Sequence, residues 1–89
     1  ELESVIKFKK FSEVSDIYIQ EDSNITTIRV LINLDKYNYN LMTEIFNTAE
    51  FPLRDKFGKD RLIDFQYVYN IPEHITPIEY FGKRIFHRE

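Results

Sequence analysis

At 89 residues the chain has room for one domain, since compact domains usually run to about 100–200 residues. Hydrophobic residues make up 43% and charged ones 30%, the balance of a soluble globule, and no apolar run approaches the roughly 20 residues of a membrane span. The formal net charge of −3 supplies no global field for nucleic acid or anionic lipid, and the absence of Cys removes disulfides, thiolate catalysis and Cys-based zinc sites.

Leu2, Val5, Ile6 and Phe11 can form the apolar stripe of a short first helix, with Glu1 and Glu3 at its start and Lys7, Lys9 and Lys10 at its end. The alternation of Ile6, Lys7, Phe8 and Lys9 leaves a strand as the alternative. Ile17 and Ile19 alternate with Asp16, Tyr18 and Gln20, the period of a half-buried strand. Glu21-Asp22-Ser23-Asn24 supplies turn chemistry, and a β-branched run from Thr26 to Leu34 puts Ile28, Val30, Ile32 and Leu34 on one face. An antiparallel hairpin is predicted from these two strands.

The period then changes. Leu41, Ile45, Ala49, Leu53 and Phe57 recur every fourth residue, widened by Met42 and Phe46, which predicts an amphipathic helix of about four turns. Asn38 or Asn40 can cap its start and Gly58 its end, while Pro52 predicts a kink or break near residues 48–52. Leu62 to Tyr69 reads as a strand with Ile63, Phe65, Tyr67 and Tyr69 on one face, so residues 26–69 form a right-handed crossover unit with parallel strands. Thr76-Pro77-Ile78-Glu79 carries a helix start, ended by Gly82, and Lys83–His87 reads as a last strand. The expected fold is a single α+β domain over residues 1–89, a two-layer sandwich. Its mixed sheet has three to four strands, in the order α-β-β-α-β-(short α)-β.

Candidate chemistry is sparse. His74 and His87 stand thirteen apart with no ligand partner, and Ser4, Ser12, Ser15 and Ser23 lie in no Gly-flanked elbow. Asp35 leaves the second strand and Asp64 enters the next, so parallel pairing holds them at opposite ends. Asp64 is expected to face solvent or to pair with Arg61 or Arg54. No catalytic, cofactor or metal residues are assigned. The basic run Lys83–Arg88, interleaved with Phe81 and Phe86, reads as an edge strand protected by charge rather than a nucleic-acid grip. Asn24-Ile25-Thr26 matches the glycosylation tripeptide, a match that arises often by chance. The chain opens on Glu1 without Met, which points to a trimmed or processed product.

In layout, a leading helix, a hairpin, a helix and a strand closed by a short helix and strand, the chain resembles the minimal nucleotidyltransferases. Ile71-Pro72-Glu73 and Gly82-Lys83-Arg84-Ile85-Phe86 are similar to that family's closing segment. The family carries a Gly-Ser turn and a pair of alternating acids for magnesium. Here the turn is Glu21-Asp22-Ser23-Asn24, and Arg29 stands where an acid is wanted. Asp64 alone is similar to the third acid, so the resemblance implies a catalytically degenerate relative with a remnant site near Asp64, Arg29 and Asp22.

Two functions follow as expectations. The first is a small non-enzymatic domain that binds a protein partner or itself, through Tyr37 and Tyr39 before the long helix and Lys83, Arg84, Phe86 and Arg88 on the closing strand. The second is a degenerate nucleotidyltransferase-like domain that binds a nucleotide, with nucleic-acid binding through the basic run ranked behind it. No cofactor and no membrane contact are expected, and the cytosol is the default location.

Overall fold

A computed structural model describes residues 6–58, 62–69 and 82–88. After a helical turn at residues 6–8, strand β1 (Val14–Glu21) and strand β2 (Ile25–Ile32) form the predicted antiparallel hairpin. The backbone N–H of Asp22 closes the turn by donating to the carbonyl of Ile25 at 2.8 Å. Helix α1 (Tyr39–Ile45), a π-helical turn (Phe46–Glu50) and helix α2 (Phe51–Phe57) then lead to strand β3 (Leu62–Tyr69), and strand β4 (Lys83–His87) follows. The order across the sheet is β3-β2-β1-β4, with β2 and β3 parallel and β1 antiparallel to both of its neighbours. This is the mixed α+β sheet expected from the sequence. Residues 1–5 of the expected leading helix and the expected Thr76–Glu79 helix start lie outside the described residues, as does His74.

Alternation explains β2, where Ile28, Val30 and Ile32 are buried on one face. It does not explain β1. The register slips between Val14 and Asp16, making Ser15 an extra residue opposite β2. A bulge of this kind lets Val14 and Ile17, three positions apart, both reach the core. A second slip opposite β4 falls at Ile85, and Ile85 and Phe86 consequently both pack against the core. Gly82 precedes β4 at φ 101°, and a Cβ there would stand 2.4 Å from the carbonyl oxygen of Ile19. Only glycine fits this approach without strain.

The helical segment follows its apolar stripe only in part. Ile45, Ala49 and Leu53 are buried over Ile17, Ile28, Val30 and Ile32, while Phe46 and Phe57 at its margins stay exposed. Asn38 caps the start, its Oδ1 accepting from the Leu41 N–H at 3.0 Å. Pro52 produces no break. Just before it the helix widens to a π-turn, in which the N–H of Phe51 donates to the carbonyl of Phe46. A wider turn accommodates the missing donor and bulky ring that would disrupt an α-helical ladder. Phe8, fully buried, closes the same side of the sheet against the rings of Phe65 and Tyr67 at 6.1 and 6.5 Å.

Arg88 fastens the far edge. Its Nε donates to the carbonyl of Val14 at 3.0 Å, and its Nη2 donates to those of Lys9 and Phe11 at 2.7 and 3.2 Å. Among the described residues no helix is long and apolar enough to cross a membrane.

Candidate functional site

The π-turn decides which aromatic side chains reach the surface together. In a regular α-helix, residues five apart point roughly 140° away from one another. The i+5 hydrogen bond instead brings Phe46 and Phe51 together, with ring centroids 6.2 Å apart. Both residues are exposed, at 44% and 55% of full residue exposure. Tyr37 and Tyr39, at the entry to α1, are 67% and 70% exposed. Tyr37 leans on Tyr69 of β3 at 6.0 Å, which fixes this group at the β3 side of the sheet.

Beside Tyr37 and Phe46 lies a cleft of about 290 Å³, lined by these two and by Met42, Thr43, Glu50 and Tyr67. Its inner end is polar. Glu50, only 8% exposed, sits in the π-turn between the core residues Ala49 and Leu53. Tyr67 Oη donates to Glu50 Oε1 at 2.6 Å, and Arg54 Nε donates to Glu50 Oε2 at 3.0 Å. Arg54 also donates from Nη1 to the carbonyl of Ile63 at 2.8 Å and lies 4.9 Å over the Phe65 ring, away from the cleft. Burial, then the hydrogen bond to Glu50 and its charge, push the Tyr67 hydroxyl well above the ordinary tyrosine range, with Arg54 opposing them. At the cleft rim Thr43 Oγ1 donates to the carbonyl of Tyr39 at 2.9 Å.

The sequence-derived contact residues fall into two separate groups. Tyr37 lines the cleft and Tyr39 is exposed at the entry to α1, whereas Lys83, Arg84, Phe86 and Arg88 lie at β4, on the opposite edge of the sheet from β3. Phe86 is partly buried against the core, and the guanidinium of Arg88 is held by backbone carbonyls. Arg84 stands 3.7 Å from Asp16, and His87 Nδ1 donates to the same carboxylate at 2.6 Å, so His87 is not the merely solvated side chain expected. Of the alternatives expected for Asp64, exposure to solvent holds, Arg54 pairs with Glu50, and Arg61 lies outside the described residues.

The opposite face of the sheet carries a second polar arrangement. Arg29 donates from Nε to Gln66 Oε1 at 2.9 Å and from Nη1 to Gln20 Oε1 at 2.7 Å, and Gln66 donates to Asp64 Oδ2 at 3.0 Å. Asp64 pairs in register with Thr27 near the start of β2, and Asp35 lies beyond its end, as the parallel pairing requires. Among the described residues no group of three or more His, Asp or Glu could hold a metal ion.

Glu50, Tyr67, Phe46, Phe51, Met42 and Thr43 escaped the sequence reading as site residues. One signal was available: a carboxylate inside the apolar stripe, four residues before Arg54 and two before Pro52. No family model matches the chain, and no match emerges among curated proteins or solved structures.

Proposed function

We propose that this chain is a non-enzymatic interaction domain that docks a protein partner, or a second copy of itself, on the ledge formed by Tyr37, Tyr39, Phe46 and Phe51. The observation that carries this reading is the cleft lined by the exposed rings of Tyr37 and Phe46, with the exposed Phe51 ring set against Phe46. Isolated surface hydrophobics are ordinary, but a contiguous apolar patch with a polar recess is characteristic of a contact surface. Aromatic rings are well suited to the role, because each buries a large area with few torsions to freeze.

Site-specific photo-crosslinking tests it. A photoreactive phenylalanine at position 39 or 51 should trap one discrete partner, or the second copy, in cells. The same group at Asp64, on the opposite face, should trap neither. Equal labelling from both faces, or none from the ledge, would reject the ledge as the docking surface.

A second reading is favoured by one arrangement, the shared placement of Arg29 and Asp64 on the open sheet face, bridged by Gln66. It makes the chain a degenerate nucleotidyltransferase-like domain that binds a nucleotide there. ATP with magnesium should then raise the melting temperature, since a ligand bound only to the folded state stabilises it by mass action. An unchanged melting temperature at millimolar nucleotide removes this reading.

A further inference from the structure

Building on the ledge reading, we propose that the cleft is a socket for a lysine side chain of the docked protein. The walls Tyr37, Met42 and Phe46 suit an alkyl stem, and the three polar groups beyond them are Glu50, Tyr67 and Thr43. Each of these three acts toward the cleft as an acceptor. The Tyr67 hydroxyl has committed its proton to Glu50 Oε1, and the Thr43 hydroxyl has committed its own to the Tyr39 carbonyl. Glu50 is a carboxylate, which accepts several hydrogen bonds and donates none. Among the described residues no Lys or Arg lines the recess, because Arg54 meets Glu50 through Oε2 and is anchored elsewhere by Ile63 and Phe65.

A recess of acceptors without donors rejects carboxylates and phosphates and fits a group that only donates. An alkylammonium has three donors and no acceptor. The acceptors come from three separate elements, α1, the π-turn and β3, and two of them, Glu50 Oε1 and Tyr67 Oη, stand 2.6 Å apart as a compact pair. That arrangement suits a rotating ammonium better than the flat fork of arginine. The exposed Tyr37 and Phe46 rings add cation–π attraction for a charge entering between them.

The test uses the isotope-labelled full chain in an amide NMR titration with N-acetyl-lysine methylamide. Shifts confined to the amides around Thr43, Phe46 and Glu50 are expected. The norleucine analogue, which keeps the stem without the charge, should bind at least about tenfold more weakly, equivalent to about 1.4 kcal/mol, and so should the arginine analogue. Glu50→Gln should abolish the preference for lysine. Because Glu50 also supports the fold, Thr43→Tyr provides a second variant that fills the recess from an exposed helix position, and it should block the probe while preserving the spectrum elsewhere. Absent shifts, equal binding of norleucine or arginine, or undiminished binding to the Thr43→Tyr variant would each overturn the socket. The crosslinking result separates the two claims: a trapped partner with no lysine preference leaves the ledge standing and rejects only the socket.

Discussion

Tyr67 and Tyr69 stand two positions apart on one face of β3, yet their hydroxyls have opposite circumstances. Tyr67 donates to a buried carboxylate, whereas the Tyr69 hydroxyl is buried without a hydrogen-bond partner. Tyr67→Phe should therefore lower stability by about 1.5–3 kcal/mol, the range for a hydrogen bond to a charged group. Tyr69→Phe should be neutral or stabilising by up to about 1 kcal/mol, because it removes an unsatisfied polar atom. Denaturant unfolding of the two variants gives the comparison directly, and equal losses would contradict the assignment. A pH consequence follows at the same residue. The folded state holds the Tyr67 proton more tightly than the unfolded chain does, so its stabilising contribution is complete below the ordinary tyrosine value of 10.0 and is lost as pH rises beyond it. The unfolding midpoint should fall with rising pH in that alkaline window, and the fall should be shallower in Tyr67→Phe. The side-chain period placed both tyrosines on one face of the strand with Ile63 and Phe65 from sequence alone. Their hydroxyl partners were not legible, because Glu50 reaches Tyr67 only through the packing of the helix across the sheet.

The π-turn reconciles the helix with its own periodicity. Residues four apart advance roughly 40° beyond a full α-helical turn, so a stripe repeated every fourth position drifts around the axis. Widening over Phe46–Glu50 slows that drift and keeps Ile45, Ala49 and Leu53 together over the sheet. The stripe from Leu41 to Leu53 was readable for this reason, and its last member, Phe57, rotates out toward solvent. Pro52 marked the place of the irregularity but not its form, since a missing donor can be met by a break, a kink or a wider turn. Pro52→Ala restores the donor and should let the turn tighten toward α-helical bonding. Loss of the proton contacts between the Phe46 and Phe51 rings by NMR would show it, with a new protected amide at position 52. Retained ring contact would mean that the core stripe, not Pro52, holds the turn open. The same substitution should weaken partner capture at the ledge, because it separates two of the four rings.

Across the whole molecule, the hairpin, the crossover and the closing strand were legible because each rests on short-range alternation or turn chemistry. The ledge was half legible: Tyr37 and Tyr39 before the helix were candidate contacts because tyrosine joins apolar area to a polar tip, while Phe46 looked like part of the apolar stripe. The two bulges, at Ser15 and Ile85, were invisible, since a slipped register leaves no mark in composition. Arg88 is the clearest reassignment of role, from surface charge to a clasp across three carbonyls of residues 9–14. Arg88→Ala should lower stability by about 2 kcal/mol, a value reduced from three charged hydrogen bonds for their partial exposure. Arg88→Lys should recover little, because an ammonium cannot reproduce the fork, and full recovery would reduce the clasp to simple charge. The position of β4 also orders events in time. β1 receives its second neighbour from residues that leave the ribosome more than sixty positions later, so a nascent chain holds the hairpin and crossover early while one edge of β1 waits unpaired. That interval exposes a strand edge able to pair with another chain. Synthesis halted after Tyr69 would turn the same strand from an interior member of the sheet into a seed for aggregation.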